Sequence, residues 1–393
     1  MKTTINERRT HHRIYYTVYI YLIFIIIIVI IMAAIRKMAM DEKIIVLGAG
    51  YTGLTTAAEL VQRKFNVQVI AKSFGHMPPL TIVGTQSRRW PGTAISNSLH
   101  DSDKLLKMEL ASIQRLLPLC HNTELTGVSV IPGLKVSKKA NNTWNGRPIE
   151  SIELLQKATK VQWDMHAISN PKNVDKNVIE KFKSVGYKSV SETQVIKIET
   201  EKYFKYLINA IHAGGGIVSF GDEINANDFH ELQRKNHVIN CLGINSHTVG
   251  NANGKYYSSR GEVVIINNCL ENFDYYVIDD DNSSGVMQMP DGSLYLSTGA
   301  EDGPDQTKNS INDCKLIFKA LFGTDDIPTI VGKKGLTSWK TDRIMREGGF
   351  NYSSDDKNAN GFVTTQNNGH GGAGVTASWA TAELAVNNFL SKI

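Results

Sequence analysis

The sequence predicts an α/β fold: a discontinuous parallel-sheet domain joined to a second domain built on a mixed or antiparallel sheet. Three stretches carry the prediction. A short apolar run, Ile44 to Leu47, leads directly into Gly48-x-Gly50-x-x-Gly53 and then a helical pattern. A second apolar strand, Val238-Ile239-Asn240-Cys241-Leu242, ends in Gly243, far along the chain. A glycine-rich loop, Gly369 to Gly374, opens the closing helix. The first stretch has the spacing of a dinucleotide-binding turn in its proper strand-to-helix context. Gly48 permits the tight turn, Gly50 lets backbone approach a pyrophosphate, and Gly53 lets helix pack on strand. The helix N-terminus supplies amide donors through Tyr51, Thr52 and Gly53. The domain is therefore Rossmann-like.

A chain of 393 residues suggests two or three domains, and 41% hydrophobic with 21% charged residues is a globular composition. The formal charge of +5 resides in residues 1–39, where Lys2, Arg8, Arg9, Arg13, Arg36 and Lys37 face only Glu7. The remainder is electrically balanced, so nucleic acid is set aside as a partner. Cys120, Cys241, Cys269 and Cys314 lie far apart with no C-x-x-C pair, which indicates neither a metal site nor a disulfide framework.

From Ile14 to Ile35 the chain runs 22 residues without a charge, long enough to cross a bilayer as one helix. If it is translated, residues 1–39 are a signal anchor and the protein is membrane-anchored through residues 14–35. Met38 and Met40 directly precede the first strand, and a start at Met40 gives a cytoplasmic or peroxisomal enzyme. The terminal Ser391-Lys392-Ile393 is one residue from a peroxisomal address.

After the first helix, Val67 to Ala71 reads as a second strand. An acid at its end usually holds the adenosine ribose, but Lys72 and Ser73 stand there. That leaves hydroxyl and backbone groups, or a phosphate contact from Lys72, at the adenosine end. Residues 101–119 carry a helical apolar period, and 125–200 is a region of short strands and polar turns. A helix over 201–213 stops at Gly214-Gly215-Gly216 before strand Ile217 to Phe220. Antiparallel strands are expected at Glu262 to Ile266, Tyr275 to Ile278, Val286 to Met289 and Leu294 to Ser297. A helix near 308–322, a strand from Gly361 to Gln366 and a closing helix over 377–390 complete the chain. This order assigns 40–119, 200–250 and 355–393 to the nucleotide-binding domain, and 120–199 and 251–354 to a substrate domain.

These landmarks together resemble the FAD-dependent D-amino-acid oxidase family and the flavin amine oxidases related to it. The matching residues are Ile45-Val46-Leu47-Gly48-Ala49-Gly50 with Gly53-Leu54-Thr55-Thr56-Ala57, Val238 to Gly243, Arg260-Gly261 and Gly369-His370-Gly371-Gly372-Ala373-Gly374-Val375-Thr376. The last resembles the family's His-Gly-Gly-x-Gly-x-Thr loop, the most specific of the matches. The resemblance implies FAD as cofactor, with its pyrophosphate at Gly48, Gly50, Tyr51, Thr52 and Gly53. Lys72, Ser73 and Leu242 then border the nucleotide, and Gly371, Gly372, Ala373, Gly374, Val375 and Thr376 the flavin ring. It also implies hydride transfer from a small-molecule amine or amino acid to flavin, with oxygen reduced to hydrogen peroxide.

Two departures bear on the substrate. Thr337 and Ser338 stand where the family's carboxylate-gripping Arg-Pro is expected, and Ser283 to Met289 holds no tyrosine ahead of Pro290. Lys340, Arg343 or Arg346 could supply the lost charge from a shifted register, with Lys340 and Arg343 the leading candidates, against the alternative that each is a solvated surface charge. No catalytic residue is assigned, and His370 is read as packing the loop. The alternative function is a flavin-binding protein of this fold with lost or altered catalysis. An NAD-dependent dehydrogenase would leave the C-terminal loop without a purpose.

Overall fold

The computed structural model describes residues 25–26, 42–73, 80–83, 108–109, 111–139, 175–250, 252–267, 273–282, 284–289, 291–297, 311–325 and 336–393. The first half holds β1 (Lys43–Leu47), α1 (Tyr51–Gln62), β2 (Asn66–Ala71), β3 (Leu80–Val83), β4 (Val128–Ser137), α2 (Lys176–Ser184) and β5 (Ser189–Glu199). Then come α3 (Thr200–Ala213), β6 (Ile217–Phe220), α4 (Ala226–Lys235), β7 (His237–Asn240), β8 (Tyr256–Ile266), β9 (Tyr276–Asp279), β10 (Ser284–Gln288) and β11 (Leu294–Ser297). The chain closes with α5 (Lys315–Phe322), β12 (Leu336–Arg346), β13 (Thr364–Gln366) and α6 (Ser378–Leu390).

Five strands form a parallel sheet in the order β13-β7-β1-β2-β6. β1 lies at its centre because Ile44 to Leu47 offer apolar side chains to both faces, and all four are buried. α1, α3 and α6 cover one face through Leu54, Leu207, Val386 and Phe389 against Ile44, Val46, Val67 and Val69. On the other face Phe229 of α4 packs on Ile45, Leu47 and Val238. The chain order reverses between β1 and β7, so a crevice opens at their carboxyl ends, the place where open α/β sheets bind ligands. Buried Glu59 of α1 is held by Arg63 at 2.7 Å and by Arg115 at 2.7 Å, and Arg115 lies over the ring of Trp379 in α6. One paired carboxylate thus ties α1 to α6 beneath the crevice.

The other eight strands form a sheet in the order β12-β8-β11-β10-β9-β4-β5-β3, antiparallel except for the β4–β9 pair. Its two faces differ. Leu134, Val277, Val286 and Leu296 are sealed beneath Phe182 of α2 and Phe318 of α5. The opposite cluster is Val195, Val263, Ile265, Tyr276, Ile278, Met287 and Tyr295.

The mixed α/β architecture agrees with the sequence prediction, with differences of extent. The strand expected from Gly361 is paired only over β13, because Gly361 has φ +86° and residues 358–361 make a turn closed by Gly361 N donating to Asn358 O. Part of the helix expected over 101–119 lies outside the described residues, and Leu117–Asn122 is a 3-10 turn with Pro118 in its first turn. The membrane expectation gains no support: among the described residues no helix is long and apolar enough to cross a membrane. Residues 14–35, apart from Ile25 and Ile26, lie outside the described residues.

Candidate active site

The Gly48–Gly53 turn has the steric constraints its spacing implies. Gly48 sits at φ +101°, and a Cβ there would lie 2.5 Å from the Cys241 carbonyl oxygen. A Cβ on Gly53 would collide with the carbonyl oxygen of Gly48. Gly48 is therefore required by the close approach of the end of β7, and Gly53 by the packing of α1 on the turn itself. Gly50 caps α1 without a side-chain hydrogen bond, and the first turn carries no acid. Within that turn no acidic side chain neutralises the amide donors and the positive end of the dipole. The side chain of Tyr51 turns into the core, with its hydroxyl 2.8 Å from Thr200 Oγ1 and its ring edge-on to Phe204. Only the backbone of Tyr51 faces the turn.

The C-terminal loop arrives beside it. Asn367 N donates to Asn240 O, which lays the loop across the end of β7. Asn367 Nδ2 donates to Thr56 Oγ1 of α1 at 2.9 Å, while its Oδ1 is buried without a partner. His370 is buried, 3.0 Å from Thr381 Oγ1 through Nε2 and packed on Phe350 with ring centroids 4.8 Å apart. Burial lowers its pKa to about 4, so it is a neutral packing group at ordinary pH. Gly371 has φ +53°, and a Cβ there would lie 2.5 Å from Met345 Cγ of β12. Gly371 to Ala373 then make one 3-10 turn, closed by Ala373 N to His370 O. Gly374, Val375 and Thr376 follow, and the buried Thr376 hydroxyl makes no hydrogen bond among the described residues.

The eight-stranded sheet supplies a cation to this loop. A Cβ on Gly372 would lie 3.7 Å from both Cδ and Nη1 of Arg343. The Arg343 guanidinium has no hydrogen bond or ion pair among the described residues, and desolvation pulls its pKa below the usual arginine value. Burial pushes the pKa of Tyr295, 5% exposed, up, and the nearby positive charge of Arg343 partly opposes the shift. Its hydroxyl has no hydrogen bond among the described residues. Tyr276 is also buried on this face, with its hydroxyl bonded to Ser297. Lys340 pairs through its backbone with Glu262, in the opposite register parity from Arg343. Thr337 and Ser338 are exposed. The sequence pointed to Arg343 but gave no signal for Tyr295, which lies one strand beyond the segment where a tyrosine was expected.

Lys72 and Ser73, at the end of β2, are exposed, and Lys72 Nζ lies 2.8 Å from Glu223 Oε2. Leu242 opens the 3-10 turn after β7, where its amide accepts restraint by donating to Asn240 Oδ1 at 3.2 Å.

A glycine cradle that tolerates no Cβ, an uncapped helix start, and an unpartnered hydroxyl in a second glycine loop fit a dinucleotide laid across the switch point. With a cation-bearing sheet facing that loop, fold and site define a nucleotide-binding protein built on two sheets. Residues 43–387 match the FAD dependent oxidoreductase family (DAO), and the chain belongs to that family. FAD is the family's cofactor. The chain is 23% identical over 349 residues to a D-amino-acid oxidase of Rubrobacter xylanophilus, covering 87% of this chain and 94% of that protein. It is 24% identical over 223 residues to a D-amino acid oxidase of Dugesia ryukyuensis, which spans 55% of this chain but only 63% of that relative. Among solved structures, glycine oxidase from Geobacillus kaustophilus shares the fold, with TM-score 0.58 and 13% identity over 90% of this chain and 96% of that one.

Proposed function

We propose that the protein oxidises a small amine or amino acid that carries a carboxylate, as an FAD-dependent oxidase. The observation that carries this reading is Arg343: a desolvated guanidinium with no partner among the described residues, set against Gly372. A half-buried charge that lacks a counter-ion is costly, so a site that keeps one is suited to an anionic ligand. Arg343 grips the carboxylate, its planar fork matching two oxygens. The Tyr295 hydroxyl lies on the same side and orients the bound anion, while Val263, Ile265 and Met287 exclude water around it. Lys340, the other candidate cation, has no comparable support.

On the cofactor side, backbone amides of Tyr51, Thr52 and Gly53 hold the pyrophosphate, with Gly48 and Gly50 giving it room. The loop from Gly371 to Thr376 borders the flavin ring, and the Thr376 hydroxyl donates to it. When bound, FAD supplies the two-electron redox chemistry, with oxygen reduced to hydrogen peroxide. His370 moves no proton, since burial keeps it neutral. Residues 40–119, 200–250 and 355–393 then carry the cofactor, and 120–199 and 251–354 cover the substrate. The similarity to D-amino-acid oxidases supports the substrate class without naming its member.

The test is anaerobic mixing of the flavin-loaded protein with D-amino acids, glycine and sarcosine, each beside its amine lacking the carboxylate. Bleaching of the flavin absorbance by carboxylate-bearing compounds alone, followed by peroxide release in air, is the expected result. A flavin that none of these compounds reduces would leave the chain a binding protein of this fold.

A further inference from the structure

The end of β2, where an acid usually meets the adenosine ribose, carries Lys72. β6 is the parallel neighbour of β2, paired from Gln68↔Ile217 to Ala71↔Phe220, so the two strands end side by side. Gly221 N donates to Ala71 O at 3.0 Å, and two residues later the chain presents Glu223 at the carboxyl edge of the sheet. Its carboxylate meets two partners: Oε2 lies 2.8 Å from Lys72 Nζ, and Oε1 accepts from Asn245 Nδ2 at 3.3 Å. Asn245 belongs to the 3-10 turn Gly243–Ser246 after β7, on the far side of β1. Glu223 therefore spans the ends of the strands that flank β1 and its glycine turn.

We infer that Glu223 is the acid that holds the adenosine ribose of the cofactor, delivered from the end of β6 in place of the one missing from β2. This rests on the cofactor site proposed above. A vicinal diol offers two hydroxyl donors, and an ionised carboxylate accepts both. Lys72 cannot take that role, because an ammonium only donates. The present partners of Glu223 do not block it: Lys72 and Glu223 side chains are 65% and 57% exposed, and such pairs are held weakly. Lys72 is an exposed ion-pair partner that lowers the pKa of a carboxylate already ionised at neutral pH.

Titration of the flavin-free protein with FAD, followed by fluorescence, tests the assignment without turnover. Glu223→Gln is expected to raise the FAD dissociation constant about tenfold or more, the effect of losing a charged acceptor. Lys72→Met is expected to leave it within about threefold, as for an exposed ion pair. Competition by ADP and by 2′,3′-dideoxy-ADP adds a readout that general damage to the fold does not imitate. The unsubstituted protein is expected to prefer ADP by about tenfold, and Glu223→Gln to lose that preference. Unchanged FAD affinity in Glu223→Gln overturns the inference. So does a preserved preference for ADP, or a loss in Lys72→Met that matches the one in Glu223→Gln. If the unsubstituted protein fails to bind FAD, the cofactor site itself is refuted, which is a separate result.

Discussion

The Gly48–Gly53 turn and the Arg343 strand belong to different sheets, and they are fixed by different physics. On the parallel sheet the constraint is steric and lies in the backbone: there is no space for a Cβ at Gly48 or Gly53. On the eight-stranded sheet it lies in side chains: a desolvated guanidinium and a buried phenol are kept without hydrogen-bond partners among the described residues. A backbone constraint tolerates almost no substitution, because the turn has no other way to fold. A side-chain constraint can move along a strand or to its neighbour, provided that the charge faces the same space. The cofactor side is thus rigid in sequence, and the substrate side is rigid only in chemistry.

The largest effect should come from Gly53→Ala. Its methyl would be driven into the Gly48 carbonyl, forcing the turn and the start of α1 apart. Overpacking of this kind costs about 1–3 kcal/mol in stability and sometimes more, but its main consequence falls on the cradle. The purified variant is expected to be colourless, read from the ratio of flavin to protein absorbance. A fully yellow Gly53→Ala would erase the contrast between the two sheets.

Arg343→Met reverses that pattern. Methionine keeps apolar length while removing the charge, so flavin content should be unchanged and melting equal or higher, since an unpaired desolvated cation disappears. Loss of one partner of a charge pair typically costs about 2–5 kcal/mol. That corresponds to a fall in kcat/KM of roughly 1.5 to 3.7 orders of magnitude. Equal activity in Arg343→Met would transfer the anion contact to another residue, Lys340 first.

Legibility in the sequence follows the same division. The glycine spacing, the apolar run Ile44 to Leu47 and the loop from Gly369 to Thr376 could be read directly, because a local pattern determines each of them. Arg343 could be named but not distinguished from a surface charge, since its neighbours Tyr295 and Gly372 are distant in sequence. Tyr295 itself gave no signal: in Leu294-Tyr295-Leu296 it reads as one more alternating strand residue. Glu223 was equally hidden, because only the parallel pairing of β2 with β6 brings it to Lys72.

The smallest expected effect concerns His370, where the two sheets meet, and it is read in acid rather than in turnover. Its native pKa is about 4 against 6.5 for an ordinary histidine, and desolvation is the cause. Between those values the unfolded chain binds a proton that the native loop refuses. Stability therefore falls as pH drops from 6.5 towards 4, by about 3 kcal/mol at most for this group. His370→Gln retains a polar group for Thr381 but does not titrate. Denaturant unfolding at a series of pH values should give a curve for the variant that is flatter than that of the unsubstituted protein between pH 6.5 and 4. If the two curves run parallel, His370 is already solvated in the folded loop. The loop would then be held by its glycines and its hydrogen bonds to β7, and the backbone rule of the parallel sheet would extend to the junction as well.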